Sequence, residues 1–335
     1  MAEGSLARRL SAQDAAFLYF EKQASPMHIG SIAVFDGDID YSLFVNNIAA
    51  KLHLIPRYLQ RVVPAPFNLG HPTWEWDPDF DITRHIKHLR IDGPGSDAQL
   101  MDLAGELFAG VLDRNKPLWE MYLVEGLEGA RTALVSKVHH CLVDGVSGIE
   151  LLMVVLDVSP SPAPAPPPPE ARPREPIPSP MNRLFDAIFD NISVEFDRLA
   201  ELQKNTAEAL LGGESRARTI SYAVETALPY FASPGARAPF NKPLTPKRKL
   251  ACSEFSFAEI RAIRQTAGGT VNDVVLAVLG GALGRYLEMH GENTDGRTMR
   301  ILTPVNVRRE PPIARAWTPS ATSQTVGLAL PSSLS

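Results

Sequence analysis

A proline-rich stretch divides this chain and limits how it can fold. Between Ser159 and Pro180 lie 11 of the 29 prolines. Proline fixes φ and lacks a backbone donor, so such a stretch forms neither a long helix nor a central strand. It is typical of a stiff, extended linker. The sequence therefore predicts a first lobe at residues 1–158, a linker at 159–180 and a second lobe that begins at 181.

Length and composition agree with two folded lobes in a reducing compartment. The 335 residues correspond to roughly two domains of about 150 residues. Hydrophobic residues make up 44% and charged residues 21%, as in soluble globular proteins. A net charge of −5 argues against a nucleic-acid partner. Cys141 and Cys252 are the two cysteines, too few for a disulfide framework, so we expect a cytoplasmic location.

Hydrophobic periodicity predicts a mixed α/β first lobe. Strands are expected where short runs rich in apolar and β-branched residues occur, and helices where apolar residues recur every three or four positions. The predicted strands cover 28–35, 118–125 and 132–139, and the predicted helices cover 41–54, 97–109 and 145–156.

The second lobe begins with a predicted helix at 181–211 and reads as incomplete. Further elements are expected as strands at 249–255 and 300–307, a helix at 257–265, and a helix that Thr270 or Asn272 caps and that runs to about residue 290. Residues 309–335 contain eight Ser or Thr, four Pro and three charged residues without periodicity. We expect no packed element in this tail, and disorder there.

Any membrane contact is expected to be peripheral. Arg8 and Arg9 have no apolar run behind them, so no secretory signal is visible. The longest apolar runs fall short of the roughly 18 residues that span a bilayer.

The segment His139-His140-Cys141-Leu142-Val143-Asp144-Gly145 carries the most chemistry. It follows a predicted strand and precedes a predicted helix, where α/β proteins often place functional groups. Side chains alternate along a strand, so the two imidazoles are expected to face opposite sides. An imidazole can accept and return a proton near neutral pH. Asp144 can cap the next helix or pair with an arginine, and Gly145 permits a tight turn.

Other interpretations of the same residues stay open at this point. An adjacent histidine pair can be buried and hydrogen-bonded without a catalytic role, and Cys141 can be an inert apolar residue. A Cys-His-Asp nucleophile is conceivable, although adjacent residues rarely reach attack geometry. Zinc is disfavoured because the neighbouring histidines do not share a face and no further ligands follow at metal spacing.

The combination of motifs resembles one protein family. His139 to Gly145 matches the HHxxxDG signature of CoA-dependent acyltransferases. Pro117-Leu118-Trp119 and Asn272-Asp273-Val274-Val275-Leu276-Ala277 resemble the PLW and NDVVLA elements of its bacterial wax ester synthase/diacylglycerol acyltransferase branch. Ser11 to Phe17 and Pro26 to Gly30 are similar to its opening segments. A condensation-type acyltransferase, which shares HHxxxDG, is disfavoured by the PLW and NDVVLA elements.

This resemblance implies a two-lobed acyltransferase-like α/β (α+β) fold and an O-acyltransferase activity. A fatty acyl group would pass from acyl-CoA to diacylglycerol, which makes triacylglycerol, or to a long-chain alcohol, which makes a wax ester. His140 would be the general base, and His139 and Asp144 would orient it. The structural support would come from Gly145, Pro117, Leu118, Trp119, Asn272 and Asp273.

The resemblance also implies what accompanies the reaction. No cofactor or metal is expected beyond acyl-CoA as co-substrate. The protein is expected to lie peripherally on a membrane or lipid droplet, with contact through Lys247, Arg248 and Lys249. The resemblance covers about residues 5–308, and family members continue beyond it. We therefore expect a truncated or frameshifted gene end, with a catalytically impaired lipid-surface binding protein as the alternative function.

Overall fold

The structure is a computed structural model that describes residues 9–143, 156, 167, 181–182, 238–306 and 321–329. The chain divides into two compact units. One consists of Met1–Asp197, Leu244–Ala251 and Glu310–Pro319, and the other of Arg198–Pro243, Cys252–Arg309 and Ser320–Ser335. The predicted linker and the predicted helices at 145–156 and 181–211 lie almost wholly outside the described residues, so they stay predictions.

A four-stranded mixed sheet forms the centre of the first unit. Its order is β1-β6-β5-β4, with β6 antiparallel to β1 and β5, and β4 parallel to β5. A separate antiparallel pair is formed by β2 and β3. The predicted strands at 28–35, 118–125 and 132–139 are confirmed. The strands are β1 (His28–Asp36), β2 (Gln60–Val63), β3 (Thr73–Trp76), β4 (Ile86–Arg90), β5 (Trp119–Leu127) and β6 (Arg131–His139).

The described helices of the first unit begin at capping residues. They are α1 (Ala12–Phe20), α2 (Tyr41–Lys51) and α3 (Asp97–Ala109). The Ser11 hydroxyl accepts the backbone N–H of Asp14 at the start of α1. Ser96 and Gln99 form a capping box at the start of α3. The predicted helix at 97–109 is confirmed, and the one at 41–54 ends in a 3₁₀ turn at Leu52–Leu54.

Side-chain alternation gives the sheet two buried faces. Trp119, Met121 and Leu134 pack with the apolar residues of α1 and α2 on one face. On the other face, strand residues such as Val135 pack against α3. A Cβ on Gly30 would lie 2.7 Å from Cζ of Phe108, so this helix residue packs directly on the β1 backbone. The sheet is therefore fixed from both sides at the end where β6 stops.

The described part of the second unit contains α4 (Phe257–Ala267), α5 (Val271–Met289), β7 (Thr298–Asn306) and β8 (Ala321–Ala329). Thr270 caps α5 in a capping box with Asp273. β7 and β8 pair antiparallel. Within the described residues, no single helix meets the length and apolarity needed to cross a bilayer, although α4 and α5, bent by 99° at their junction, meet it as a pair.

Two sequence predictions are wrong here. Residues 249–255 form no strand, because no segment in the described part of the chain pairs with them. The tail holds a strand, β8, because β7 supplies the partner that its own polar sequence does not reveal. The predicted cap of α5 is confirmed: of the two residues that the sequence allowed, Thr270 is the cap and Asn272 lies in the first turn.

Candidate functional site

The turn after β6 is tied to the strands on both sides of it. The backbone N–H of His139 donates to the carbonyl of Leu118 at 3.0 Å, and that of His140 donates to the carbonyl of Met27 at 2.8 Å. Leu142 N–H donates back to the carbonyl of His139 at 2.9 Å. The chain therefore reverses directly after the sheet, with both histidines in defined backbone positions.

His139 is fully buried and its tautomer follows from its contacts. Its Nδ1 accepts the backbone N–H of Cys141 at 3.1 Å. The proton of the neutral ring therefore belongs on Nε2. That atom lies 3.4 Å from Oε1 of Glu21, an electrostatic contact that falls short of hydrogen-bond geometry. The imidazole thus faces a carboxylate rather than hydrocarbon alone.

Glu21, at the end of α1, is a buried carboxylate with several donors. Its Oε1 accepts the backbone N–H of Met27 at 3.0 Å, and its Oε2 pairs with Nη2 of Arg114 at 3.0 Å. The same guanidinium nitrogen donates to the carbonyl of Leu18. Burial alone would raise the pKa of Glu21, but the contacts with His139, Met27 and Arg114 outweigh it and lower the pKa to about 2. Glu21 is therefore ionised at neutral pH.

His140 occupies a different environment from its neighbour. It is half-buried, and its ring stacks on Phe17 with centroids 4.5 Å apart and an interplanar angle of 14°. Helix α1 thus contacts both histidines, through Phe17 and Glu21. Sequence reasoning missed Glu21 and Arg114, since no local pattern shows that residue 21 meets residue 139.

The cysteine in the turn does not favour nucleophilic chemistry. Cys141 is a buried free thiol. Burial, followed by the negative charges of Asp14 and Glu21, raises its pKa well above the ordinary range. A thiolate is the reactive form of cysteine, so this geometry favours an inert side chain. Within the described ranges, no group of three or more His, Cys, Asp or Glu side chains is arranged to hold a metal ion.

The PLW residues lie under the turn, and the Asn-Asp pair lies in the other unit. Pro117, Leu118 and Trp119 are buried. Trp119 donates its indole N–H to the carbonyl of Tyr58 at 2.9 Å and stacks on the ring of His85. Because the Leu118 carbonyl also accepts from His139, this segment supports the end of β6.

Asn272 and Asp273 lie in the first turn of α5, where Asp273 accepts the backbone N–H of Thr270 at 2.7 Å. This hydrogen bond accounts for Asp273 as part of a helix cap, so no catalytic role is needed to explain the residue. Asp144 and Gly145 lie outside the described residues.

A third histidine lies at the same end of the sheet. His28 is the direct register partner of His139. It borders a cavity of about 310 Å³ whose walls include Phe108 and Arg248. Burial, followed by the positive charge of Lys137, lowers the pKa of His28 to about 4, so its ring is neutral at neutral pH. Its Nδ1 is buried without a hydrogen-bond partner.

Comparison with known proteins gives concordant matches. The sequence model of one protein family, the wax ester synthase/diacylglycerol acyltransferase catalytic domain, matches residues 10–275 of this chain. A putative diacylglycerol O-acyltransferase of Mycobacterium tuberculosis is 33% identical over 313 residues, 91% of this chain and 65% of the relative. The probable diacylglycerol O-acyltransferase tgs1 of the same species is 30% identical over 334 residues, 96% of this chain and 65% of the relative. The chain thus spans 65% of the length of each of these relatives, slightly less than two thirds.

Two solved structures share the fold. The wax ester synthase/diacylglycerol acyltransferase from Marinobacter aquaeolei VT8 has a TM-score of 0.53 at 25% identity, over 84% of this chain and 61% of that one. The first condensation domain of the calcium-dependent antibiotic synthetase has a TM-score of 0.57 at 15% identity, over 97% of this chain and 70% of that one. The second likeness concerns the fold alone.

Proposed function

Because the chain belongs to the wax ester synthase/diacylglycerol acyltransferase family, we propose that it transfers a fatty acyl group from acyl-CoA to a hydroxyl. The acceptor is diacylglycerol, a long-chain alcohol or both. The observation that carries the proposal is the position of His140, half-buried on the Phe17 ring and next to His139, whose buried side chain faces the Glu21 carboxylate.

The proposed reaction is a direct transfer with His140 as the general base. The acceptor oxygen attacks the thioester carbonyl while His140 takes the hydroxyl proton. A carbon–oxygen bond forms, the carbon–sulfur bond breaks, and the proton passes from His140 to the departing CoA sulfur. No acyl-enzyme is needed, in keeping with the raised pKa of the Cys141 thiol. Positioned proton transfer contributes about 10²- to 10⁴-fold in rate.

The neighbouring residues orient this base in the proposal. Met27 links His140 to the Glu21 carboxylate, because its N–H donates to Glu21 and its carbonyl accepts from the His140 backbone, and His139 faces the same carboxylate. A fixed negative charge near the turn favours the imidazolium that forms when the base takes a proton. Asp144 is proposed to help orient the base together with His139, and Gly145 to permit a tight backbone. Pro117, Leu118 and Trp119 support the strand end.

We further propose that acyl-CoA is the only co-substrate needed besides the acceptor, with no added cofactor or metal and no nucleic acid. The acceptors are lipids, so the protein is proposed to act in the cytoplasm at the surface of a membrane or a lipid inclusion. Of the predicted basic contacts, Lys247 and Lys249 are exposed. Arg248 instead donates to the backbone carbonyls of Thr245 and Ala24.

The test is an assay of the purified full chain with palmitoyl-CoA and either dioleoylglycerol or hexadecanol. Release of CoA thiol is followed with a thiol reagent, and a reaction without acceptor corrects for the exposed Cys252 and for hydrolysis. We expect acceptor-dependent thiol release and an ester product. Exposed aromatic residues such as Phe20 favour one second candidate, a lipid-surface protein without catalysis. Vesicle binding without ester formation would establish that candidate and overturn the transferase.

A further inference from the structure

We propose that the end of α1 and the loop of residues 64–72 form a docking surface for membranes that contain anionic phospholipid. In this arrangement Phe67 enters the lipid, and the arginine-lined cavity beside the loop contacts lipid phosphate groups. The proposal concerns where the protein meets lipid, and it does not depend on which histidine is the base.

The first observation is a group of exposed aromatic side chains on neighbouring segments. Phe67 is 83% exposed, and Phe20 and Tyr19 are 67% and 57% exposed. The two segments touch, because the Tyr19 hydroxyl lies 3.3 Å from Nδ1 of His71. Aromatic side chains with one apolar and one polar end, such as tyrosine, favour the boundary between water and lipid.

The second observation is the backbone that presents Phe67. Phe67 and Asn68 have φ values of 54° and 57°, a left-handed conformation that is rare for a bulky residue. The turn is nevertheless ordered by hydrogen bonds from Asn68 N–H to the Ala65 carbonyl and from Leu69 N–H to the Pro66 carbonyl. Among the described residues of this unit, Phe67 is 83% exposed and gains little packing in return for the strain, which points to an external contact.

The third observation is the position of the loop on the first unit. The C-terminal end of the loop is held by a hydrogen bond from the backbone N–H of Leu10 to the carbonyl of Pro72 at 2.9 Å. The next residue, Thr73, forms an isolated antiparallel β-bridge with the backbone of Arg9. Phe67 therefore stands on a loop that is anchored at its base, so little conformational entropy is lost when it inserts.

The fourth observation is charge. A cavity of about 420 Å³ adjoins the loop, and its walls combine Leu18, Tyr19 and Val63 with Arg61, Arg114 and Asn68. No acidic residue is among the described side chains that line it. Nε of Arg61 is buried without a hydrogen-bond partner. Guanidinium groups suit phosphate oxygens, so this cavity complements anionic headgroups, although Arg61 also lines a neighbouring cavity with Asp77, Asp79 and Asp113 and the whole chain carries a net charge of −5.

The surface lies close to the proposed catalytic turn. Arg114 lines the cavity and also pairs with Glu21, which contacts His139. A lipid bound at the docking surface would therefore lie near the histidines, because Arg114 belongs to both places. This position suits an enzyme whose acceptor is a membrane lipid.

The test is co-sedimentation of the full chain with two kinds of vesicle, phosphatidylcholine alone and an equal mixture of phosphatidylcholine and phosphatidylglycerol. We expect tighter binding to the mixture. Phe67→Asn keeps a residue that tolerates positive φ and removes the ring, and it should lower the partition coefficient about tenfold or more. Phe255→Asn, at another exposed phenylalanine, is the control and should bind as the wild type does.

Arg61→Gln should remove the preference for the anionic mixture, whereas Lys242→Gln, at an exposed lysine outside both the docking surface and the predicted basic contacts, should not. Transfer to a short, water-soluble alcohol should be unchanged in Phe67→Asn and Arg61→Gln, which separates failure of this proposal from failure of the transferase. Wild-type protein that binds neither vesicle or shows no preference, or Phe67→Asn protein that binds as tightly as the wild type, would overturn the docking surface.

Discussion

Oε1 of Glu21 lies 3.4 Å from Nε2 of His139, and both side chains are buried. The carboxylate follows α1 and the imidazole ends β6, so this contact joins the helix to the turn that carries His140. Arg114 and the Met27 N–H hold the carboxylate from the other sides. The position of the turn therefore depends on a charge that the HHxxxDG motif does not contain.

Glu21→Gln should impair both stability and turnover. The amide keeps the shape of the side chain but removes the charge that pairs with Arg114 and faces His139; because the Arg114 side chain is half exposed, we expect a stability loss of about 1 kcal/mol. We expect at least a tenfold fall in the rate of CoA release, measured at a temperature where urea titration shows the variant to be folded. Glu254→Gln, at an exposed carboxylate, should match the wild type in both assays. Full turnover in folded Glu21→Gln would show that the charge does not position the turn.

His28 should make stability fall in mild acid. Burial and the charge of Lys137, opposed by Glu21, lower the pKa of His28 to about 4 from an ordinary value of 6.5. Between these values the unfolded chain binds a proton that the folded chain does not, so His28 lowers the free energy of unfolding as pH falls from about 6.5 to 4.

The measurement is urea unfolding between pH 7 and about 5.5, above the ordinary pKa of 4.5 near which Glu21 begins to titrate in the unfolded chain. His28→Gln cannot gain the proton, so its stability should depend less steeply on pH than that of the wild type. Parallel pH profiles for the two proteins would contradict the lowered pKa of His28.

Trp119→Phe should destabilise the first unit without removing any proposed reacting group. The change leaves the Tyr58 carbonyl without the indole donor, and an unsatisfied buried group costs about 1–3 kcal/mol. Urea unfolding gives the loss, with Trp76→Phe, at a half-buried indole, as the comparison. An unchanged unfolding midpoint in Trp119→Phe would mean that the PLW segment does not support the strand end in this way.

Thr270→Ala should weaken the start of α5 through its cap alone. The Thr270 hydroxyl accepts the Asp273 N–H at 3.2 Å, and loss of such a cap costs about 1 kcal/mol. Thr270→Ser keeps the hydroxyl and should stay near wild-type stability. Thermal unfolding of the two variants provides the test, and equal losses in both would attribute the effect to the missing methyl group instead.

Local sequence predicted the elements whose own residues determine them. The buried runs of β5 and β6 and the Ser96 capping box mark their segments without help from elsewhere in the chain. Strands that depend on a distant partner were not predictable in the same way. Residues 249–255 have a strand-like pattern but pair with no segment that the structure describes, whereas β8 is a strand because β7 pairs with it.

The same distinction between local sequence and distant partners applies to the candidate site. The histidine pair is contiguous, so its spacing indicated both its place after a strand and the separate environments of the two rings. Glu21, Phe17 and Arg114 reach the pair only through the fold, since α1 crosses beside the end of β6. Distances between residues so far apart in sequence follow from tertiary packing, which local periodicity does not encode.

The most direct test of the account is the rate of CoA release by His140→Ala and His140→Phe with palmitoyl-CoA and dioleoylglycerol. The phenylalanine variant keeps a flat ring for the Phe17 stack but cannot accept a proton. We predict that both variants stay folded and lose about 10²-fold or more of the wild-type rate. Wild-type turnover in either variant would contradict the role of His140 as the base.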